Sequence, residues 1–295
     1  MLMPAQTAAR TGEATIRAAL RQARSELSAS ESADLDAQTL LAHVLGVDRA
    51  FLFAHAEKAL DARQGARFQS LLQRRAAGEP LAYILGKRGF YDLELTVTPS
   101  VLVPRPETEL LLEEALRLTE DTSVAAVADI GTGSGALAVT FARQRPRSTV
   151  YASDISADAL EVARQNAEAQ AARVRFFRGD LAQPLIERGI QVDLLIANLP
   201  YIASADLSTL AVSRWEPRTA LDGGRDGLAC IRALLLQTPS ICRAGAWVLL
   251  EIGADQGAAV ARLVREHLGA DCRILKDYAG LDRIARFQLT RAERE

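Results

Sequence analysis

Residues 127–135, Val-Ala-Asp-Ile-Gly-Thr-Gly-Ser-Gly, constrain the fold of this chain more than any other stretch. Val127–Ile130 reads as a short apolar strand. Leu137, Val139, Thr140 and Phe141 mark the apolar face of a helix that follows the glycine turn. Strand, glycine turn and helix is the unit from which an α/β sheet makes a nucleotide or nucleoside site. Gly131, Gly133 and Gly135 permit positive φ and let the backbone approach a ligand, with Thr132 and Ser134 between them. The spacing is G-x-G-x-G rather than G-x-G-x-x-G, and no Lys-Ser/Thr pair follows. That argues against a P-loop and weakly against a dinucleotide. Alone the loop decides little, because tight βα turns need glycine anyway.

The residues downstream keep the same rhythm. Ser148–Ser153 reads as the next strand, with Asp154 at its end and a helix starting near Ser156. An acidic side chain there can take both hydroxyls of a ribose; the plainer reading is a helix cap. Val174–Phe177 reads as a third strand, and Asp180 beyond it would sit beside an adenine, or serve as an ordinary loop Asp after Gly179. Val192–Ala197 reads as a buried strand followed by Asn198-Leu199-Pro200-Tyr201. The Asn198 side-chain oxygen can accept one N–H of a planar amide-like nitrogen. The backbone carbonyl beside Pro200 can accept the other, since proline fixes the turn and offers no competing donor. The Tyr201 ring can cover one face of the flat group. Such a site suits methylation of an exocyclic or carboxamide nitrogen; the plainer reading is an Asn/Pro turn. Yet glycine loop, Asp154, Asp180 and Asn198 each follow a predicted strand, in order. Independent caps and turns would rarely fall so regularly.

On these residues the chain resembles the class I methyltransferases that use S-adenosylmethionine. More closely it resembles the HemK/PrmC family of protein-(glutamine-N5) methyltransferases, which modify peptide chain release factors. The closer match rests on Arg74–Gly86, Phe90–Val97, Val101–Glu109, Glu216-Pro217, Ala220-Leu221, Gly223–Leu228, and Glu251-Ile252-Gly253 with Gln256. The resemblance implies a seven-stranded α/β sheet with one antiparallel strand and a small N-terminal helical domain. It implies that Glu107, Thr108 and Leu181 join Gly131–Gly135, Asp154, Asp180 and Asn198 around S-adenosylmethionine, which leaves as S-adenosylhomocysteine. Arg105, Pro106 and Leu199 would join Asn198, Pro200 and Tyr201 around the glutamine of a Gly-Gly-Gln motif, with Asn198, Pro200 and Tyr201 catalytic. One departure stands out. The family normally has Asn-Pro-Pro-Tyr, and Asn-Leu-Pro-Tyr looks like the form of ribosomal RNA adenine dimethyltransferases. Losing the first proline should loosen the loop, typically by under about 1 kcal/mol, so Leu199→Pro is expected to keep or raise activity.

Composition narrows the alternatives. The 295 residues suffice for two domains, and 49% hydrophobic residues exclude a disordered chain. A formal net charge of −2 offers no bulk attraction to nucleic acid or to an anionic membrane. Cys230, Cys242 and Cys272 show no metal spacing and suit a reducing cytoplasm, and His43, His55 and His267 are scattered. No stretch reads as a secretory or membrane-spanning segment. The expectation is a cytoplasmic monomer with no metal site and no direct nucleic-acid partner.

The periodicity predicts helices over Glu13–Leu27, Asp34–Leu45, Arg49–Ala56 and Ala62–Ala77, with Ser32 and Asp48 as caps and Gly46 closing the second. The expected organisation is a helical substrate-docking domain (1–77), a linker and hairpin (78–106) and a methyltransferase domain (107–295). Further on, Gly227–Leu236 reads as a helix, Trp247–Ile252 as a strand and Ala258–His267 as a helix. Cys272–Asp277 and Arg283–Leu289 read as strands joined too briefly for a crossover, hence antiparallel. Three other readings stay open: N6-adenine methylation of RNA or DNA, glutamine methylation of a ribosomal protein, and cofactor binding without turnover.

Overall fold

The computed structural model describes residues 14–120 and 126–289. They fall into two compact units that meet in sequence between Leu85 and Gly86.

The first unit is helical: α1 (Ile16–Glu26), α2 (Ala33–Leu45), α3 (Arg49–Ala54), α4 (Ala62–Ala76) and the short α5 (Leu81–Leu85). Its ends follow local chemistry. Thr15 accepts from the Ala18 amide, Asp48 from Phe51, and Asp61 forms a reciprocal capping box with Gln64. Gly46 closes α2 in the left-handed conformation. Ser32 departs from expectation. It stands at the N-cap of α2, but its hydroxyl donates to Asp36 rather than capping a backbone N–H. Asp36 is buried and already paired with Arg75, so it competes for the hydroxyl. The expected helix start at Glu13 lies outside the described residues. Ile16, Ala23, Leu40, Leu41, Leu52, Phe68 and Leu72 form this unit's core.

The second unit opens with a hairpin, β1 (Lys87–Phe90) and β2 (Leu93–Thr96), then α6 (Pro106–Leu118). Strand and helix alternate from there: β3 (Ala126–Ile130), α7 (Ala136–Gln144), β4 (Thr149–Asp154), α8 (Ala157–Ala169), β5 (Val174–Arg178), α9 (Gln183–Ile186) and β6 (Val192–Ala197). After a long excursion come α10 (Ala229–Ile241), β7 (Cys242–Glu251), α11 (Gly257–Leu268), β8 (Cys272–Lys276) and β9 (Asp282–Gln288). Seven strands form one sheet in the order β5-β4-β3-β6-β7-β9-β8, with β9 alone running against its neighbours. Helix α10 starts two residues later than its sequence pattern predicts and runs past Leu236 to Ile241, through Pro239. A proline near the last turn gives up a hydrogen bond that is easily lost there. Strand β7 begins five residues earlier than expected, because Cys242 pairs with Val192 across a register shift.

Register decides where the chemistry lies. Ile130 of β3 pairs with Ser153 of β4 and with Ala197 of β6, and Ala197 pairs with Leu250 of β7. The next residues, Gly131, Asp154, Asn198 and Glu251, therefore emerge side by side at the carboxyl edge of the sheet. The chain winds outward from β3 through β4 to β5, then returns to β6 on the other side of β3. That reversal is the switch point where open α/β sheets bind ligands.

Candidate active site

A cavity of about 640 Å³ opens at this edge. Its size falls within the roughly 300–1,000 Å³ of small-molecule sites. Of the residues singled out in the sequence, Arg105, Thr108, Gly131, Thr132, Gly133, Ser134, Asp154, Asp180, Leu181, Asn198, Leu199 and Pro200 line it. Glu107, Pro106, Gly135 and Tyr201 do not. Pro106 begins α6, and Gly135 caps α7 against Ala163. Tyr201 lines an adjoining hollow of about 80 Å³, which shares Leu102, Arg105, Asn198, Leu199 and Ala220 with the large cavity.

The glycine loop is braced from several sides. Gly133 donates its amide to Asp154 Oδ2 at 2.9 Å, and Ser156 donates to Oδ1 at 2.9 Å. Burial raises the Asp154 carboxyl above its ordinary range, against these backbone hydrogen bonds. From α8, Asn166 ties the loop to the hairpin: its amide group donates to Ser134 O and Thr96 O and accepts from the Thr96 amide. Gly131 is held at φ +75°, and a Cβ there would lie 2.8 Å from Leu199 Cδ2. Leu199 is thus a packed core residue, 4% exposed, seated on the glycine turn. At the rim Leu181 adopts φ +48°, rare for a leucine, while its carbonyl accepts from Ser153 Oγ.

Asp129 had no role in the sequence reading, yet it lines the cavity and is buried. One of its oxygens accepts from Thr132 Oγ1 at 2.6 Å and from the Ala138 amide at 3.1 Å; the other, Oδ1, has no partner. Burial pushes its carboxyl up to about 7. The signal available in sequence was position alone, two residues before Gly131 on an otherwise apolar strand.

The Asn198–Tyr201 turn is clamped by the segments around it. Asn198 Nδ2 donates to Thr108 Oγ1 at 3.0 Å. Gln256 donates to Tyr201 O at 2.9 Å and accepts from the Gly253 amide. Gly223 passes so close that a Cβ would stand 2.7 Å from Pro200 O. Ile202 and Asp222 form a parallel bridge, and Ser204 Oγ donates to Asp222 at 2.5 Å. Burial, and then the charge of Glu251, push the Tyr201 phenol up to about 12, so it stays protonated. An ordered corner results, built around the Asn198 side chain and the Pro200 carbonyl.

Comparison with known proteins places the chain in a family. The PrmC N-terminal domain family matches residues 18–86, and the methyltransferase small domain family matches residues 106–215. A release factor glutamine methyltransferase of Moorella thermoacetica is 44% identical over 276 residues, covering 91% of this chain and 96% of the relative. That of Geobacter sulfurreducens is 41% identical, covering 92% and 95%. A methyltransferase structure from Pyrococcus furiosus shares the fold at a TM-score of 0.50 and 17% identity, over 76% of this chain and 98% of that one. By sequence over nearly its whole length, the chain belongs to the release factor glutamine methyltransferase family.

Proposed function

We propose that the protein methylates the side-chain amide nitrogen of a glutamine in peptide chain release factors, with S-adenosylmethionine as methyl donor. The observation that carries this reading is the shared wall of the two hollows, where Asn198 and Leu199 face both. The larger hollow suits the donor. Its Asp154 and Asp180 carboxylates would accept from ribose and adenine, and the unpartnered Asp129 Oδ1 would accept a cationic N–H. Asn198 and the Pro200 turn would hold the carboxamide at their common boundary.

S-adenosylmethionine supplies an activated methyl group, so the protein's task is in-line placement near 3 Å rather than acid–base work. A carboxamide nitrogen is a weak nucleophile because its lone pair is delocalised into the carbonyl. Asn198 Oδ1 and Pro200 O, by accepting both N–H groups, raise electron density on nitrogen as the new bond forms. The proton then leaves to solvent. Arg105 is engaged by Glu216 and therefore shapes the substrate wall rather than offering a free cation. The helical unit is assigned to docking the release factor.

Labelled S-adenosylmethionine incubated separately with release factor, ribosomal protein and RNA tests the assignment. Label is expected on one release-factor glutamine, mapped by mass spectrometry. Label on RNA adenine with the release factor unmodified would overturn it in favour of nucleobase chemistry.

A further inference from the structure

Glu251 ends β7 one strand away from Asn198, and it has no place in the chemistry above. Its side chain is buried, 2% exposed, and Oε2 meets no hydrogen-bond partner. By register the carboxylate stands beside Asn198, and, against the upward push of burial, Thr108 and Asn198 act on it as donors that hold its pKa down. Thr108 Oγ1 also accepts from Asn198 Nδ2. A hydroxyl that accepts from Asn198 sends its one proton elsewhere, and the Glu251 carboxylate is the acceptor that it acts on. An ionised carboxylate has none to give. Thr108 Oγ1 and the ionised Glu251 carboxylate thus stand as acceptors beside Asn198, and the –NH2 end of its amide is the end that faces them. We propose that Glu251, acting with Thr108, is a positioning residue that fixes the Asn198 amide so that Oδ1 points into the cavity toward the target nitrogen. The proposal rests on the assignment of Asn198 as the carboxamide acceptor.

A protonated Glu251 would undo this arrangement. It could donate to Asn198 Oδ1, allow the amide to turn over, and present –NH2 where an acceptor is needed. Burial raises the Glu251 carboxyl to about 7, above the usual carboxylate range. Hydrogen bonds from Thr108 and Asn198 and the positive charge of Arg283 on β9 work against that rise, and Glu107 on α6 adds to it. Tyr201, after β6, feels the same carboxylate and keeps its proton. The turnover-competent form is the deprotonated one, present above this range and lost as pH falls through it.

The test is Glu251→Gln in the full-length protein, with single-turnover methylation of a release factor across pH 5.5–8.5, a window of about 1.5 pH units on either side of the value near 7. The new amide can donate to Asn198, so kcat is expected to fall about tenfold or more, the scale of one misplaced buried hydrogen bond. KM for the release factor and calorimetric affinity for S-adenosylmethionine should change little. S-adenosylmethionine is held saturating across the range, so that titration of Asp129 in the donor site does not limit the rate. The wild-type rate should then rise through a midpoint near 7, and the variant profile should be flat. In the wild type alone, the Asn198 side-chain NH2 resonances, identified by their loss in Asn198→Ala, should titrate with the same midpoint. A variant rate within about twofold of wild type, a retained rising limb, or Asn198 resonances that do not titrate would each overturn the proposal. Wild type inactive on the glutamine would refute the functional reading instead, and the resonance titration would still decide the positioning role.

Discussion

Arg105 closes on Glu216 across 111 residues of chain, its Nη2 donating to the two carboxylate oxygens at 2.7 and 2.6 Å. The Glu216 side chain is 1% exposed and that of Arg105 34%. One contact thus fastens the segment leading into α6 to the excursion between β6 and α10, and both border the active-site hollows. A buried pair of this kind is not free stability, since desolvation of Glu216 outweighs the pull of Arg105 and its carboxyl stays raised. Removing one partner is another matter.

Arg105→Ala should leave the buried carboxylate uncompensated and cost about 1–3 kcal/mol. That is below the roughly 3–5 kcal/mol of a fully buried pair, because Arg105 is partly wet. The sign with pH follows from the raised carboxyl. Protonated Glu216 needs no partner, so the deficit should be small in acid and grow as pH rises through the folded value. Urea unfolding of both proteins at pH 5 and pH 8, conditions chosen about the carboxylate range, should show the wider gap at the higher pH. Equal gaps would mean that the pair contributes packing rather than charge.

Asp129→Asn should trade binding for stability. The wild-type carboxyl is raised to about 7, so its folded form binds a proton that the unfolded chain releases near 4. Its contribution is favourable below about pH 4 and is lost as pH rises through 7. An asparagine can still accept from Thr132 and Ala138 while carrying no charge into the core. The variant should therefore be more stable than wild type at pH 8, with the advantage vanishing at pH 4. Calorimetric affinity for S-adenosylmethionine should fall, because the unpartnered Oδ1 faces the donor cavity. Unchanged affinity would remove Asp129 from the proposed donor site.

The sheet was legible because β3, β4 and β6 are short apolar runs, each ended by a residue of distinct chemistry. Tetrapeptide, glycine loop and Asp154 could be placed for that reason. The excursion from Ile202 to Leu228 was not legible as structure. It holds only short 3₁₀ turns, and its conformation is set by Gly223 against Pro200, Gln256 against Tyr201, and Arg105 against Glu216. Such contacts join residues far apart in sequence, so no local period announces them. Glu251 stood out in sequence only as part of the Glu251-Ile252-Gly253 match, with no role attached, and only the Ala197–Leu250 register brings it beside Asn198.

Asn166→Ala probes the brace between hairpin and glycine loop. The side chain is 1% exposed and serves Ser134 O, Thr96 O and the Thr96 amide. Alanine would strand these groups with no space for full rehydration, at about 1–3 kcal/mol for each group left unpaired. The same deletion should loosen Ser134, and amide exchange at Gly133 and Gly135 should speed up more than exchange in β7. Uniform acceleration across the sheet would indicate global destabilisation without a specific hold on the loop.

Leu199→Pro should keep activity, as expected from sequence, but at a cost in stability that the sequence did not suggest. Proline at this position was expected to stiffen the turn, a gain under about 1 kcal/mol. The Leu199 side chain, however, is buried on Gly131 within the core between β6 and α10. Proline keeps less of that volume, and large-to-small core changes commonly cost about 2–5 kcal/mol, less where the replacement fills part of the space. The net expectation is a loss of about 1–3 kcal/mol in denaturant unfolding, with catalysis retained by the molecules that remain folded. Gly131→Ala supplies the control. Its Cβ would stand 2.8 Å from Leu199 Cδ2 and would also be strained at φ +75°. Shortening Leu199 to alanine should relieve the first cost and leave the second. The double variant Gly131→Ala/Leu199→Ala should therefore be more stable than the sum of the single losses, by about 0.5–3 kcal/mol of coupling. Strict additivity would place the whole cost of Gly131→Ala in backbone strain and show that Leu199 yields freely to the new methyl group.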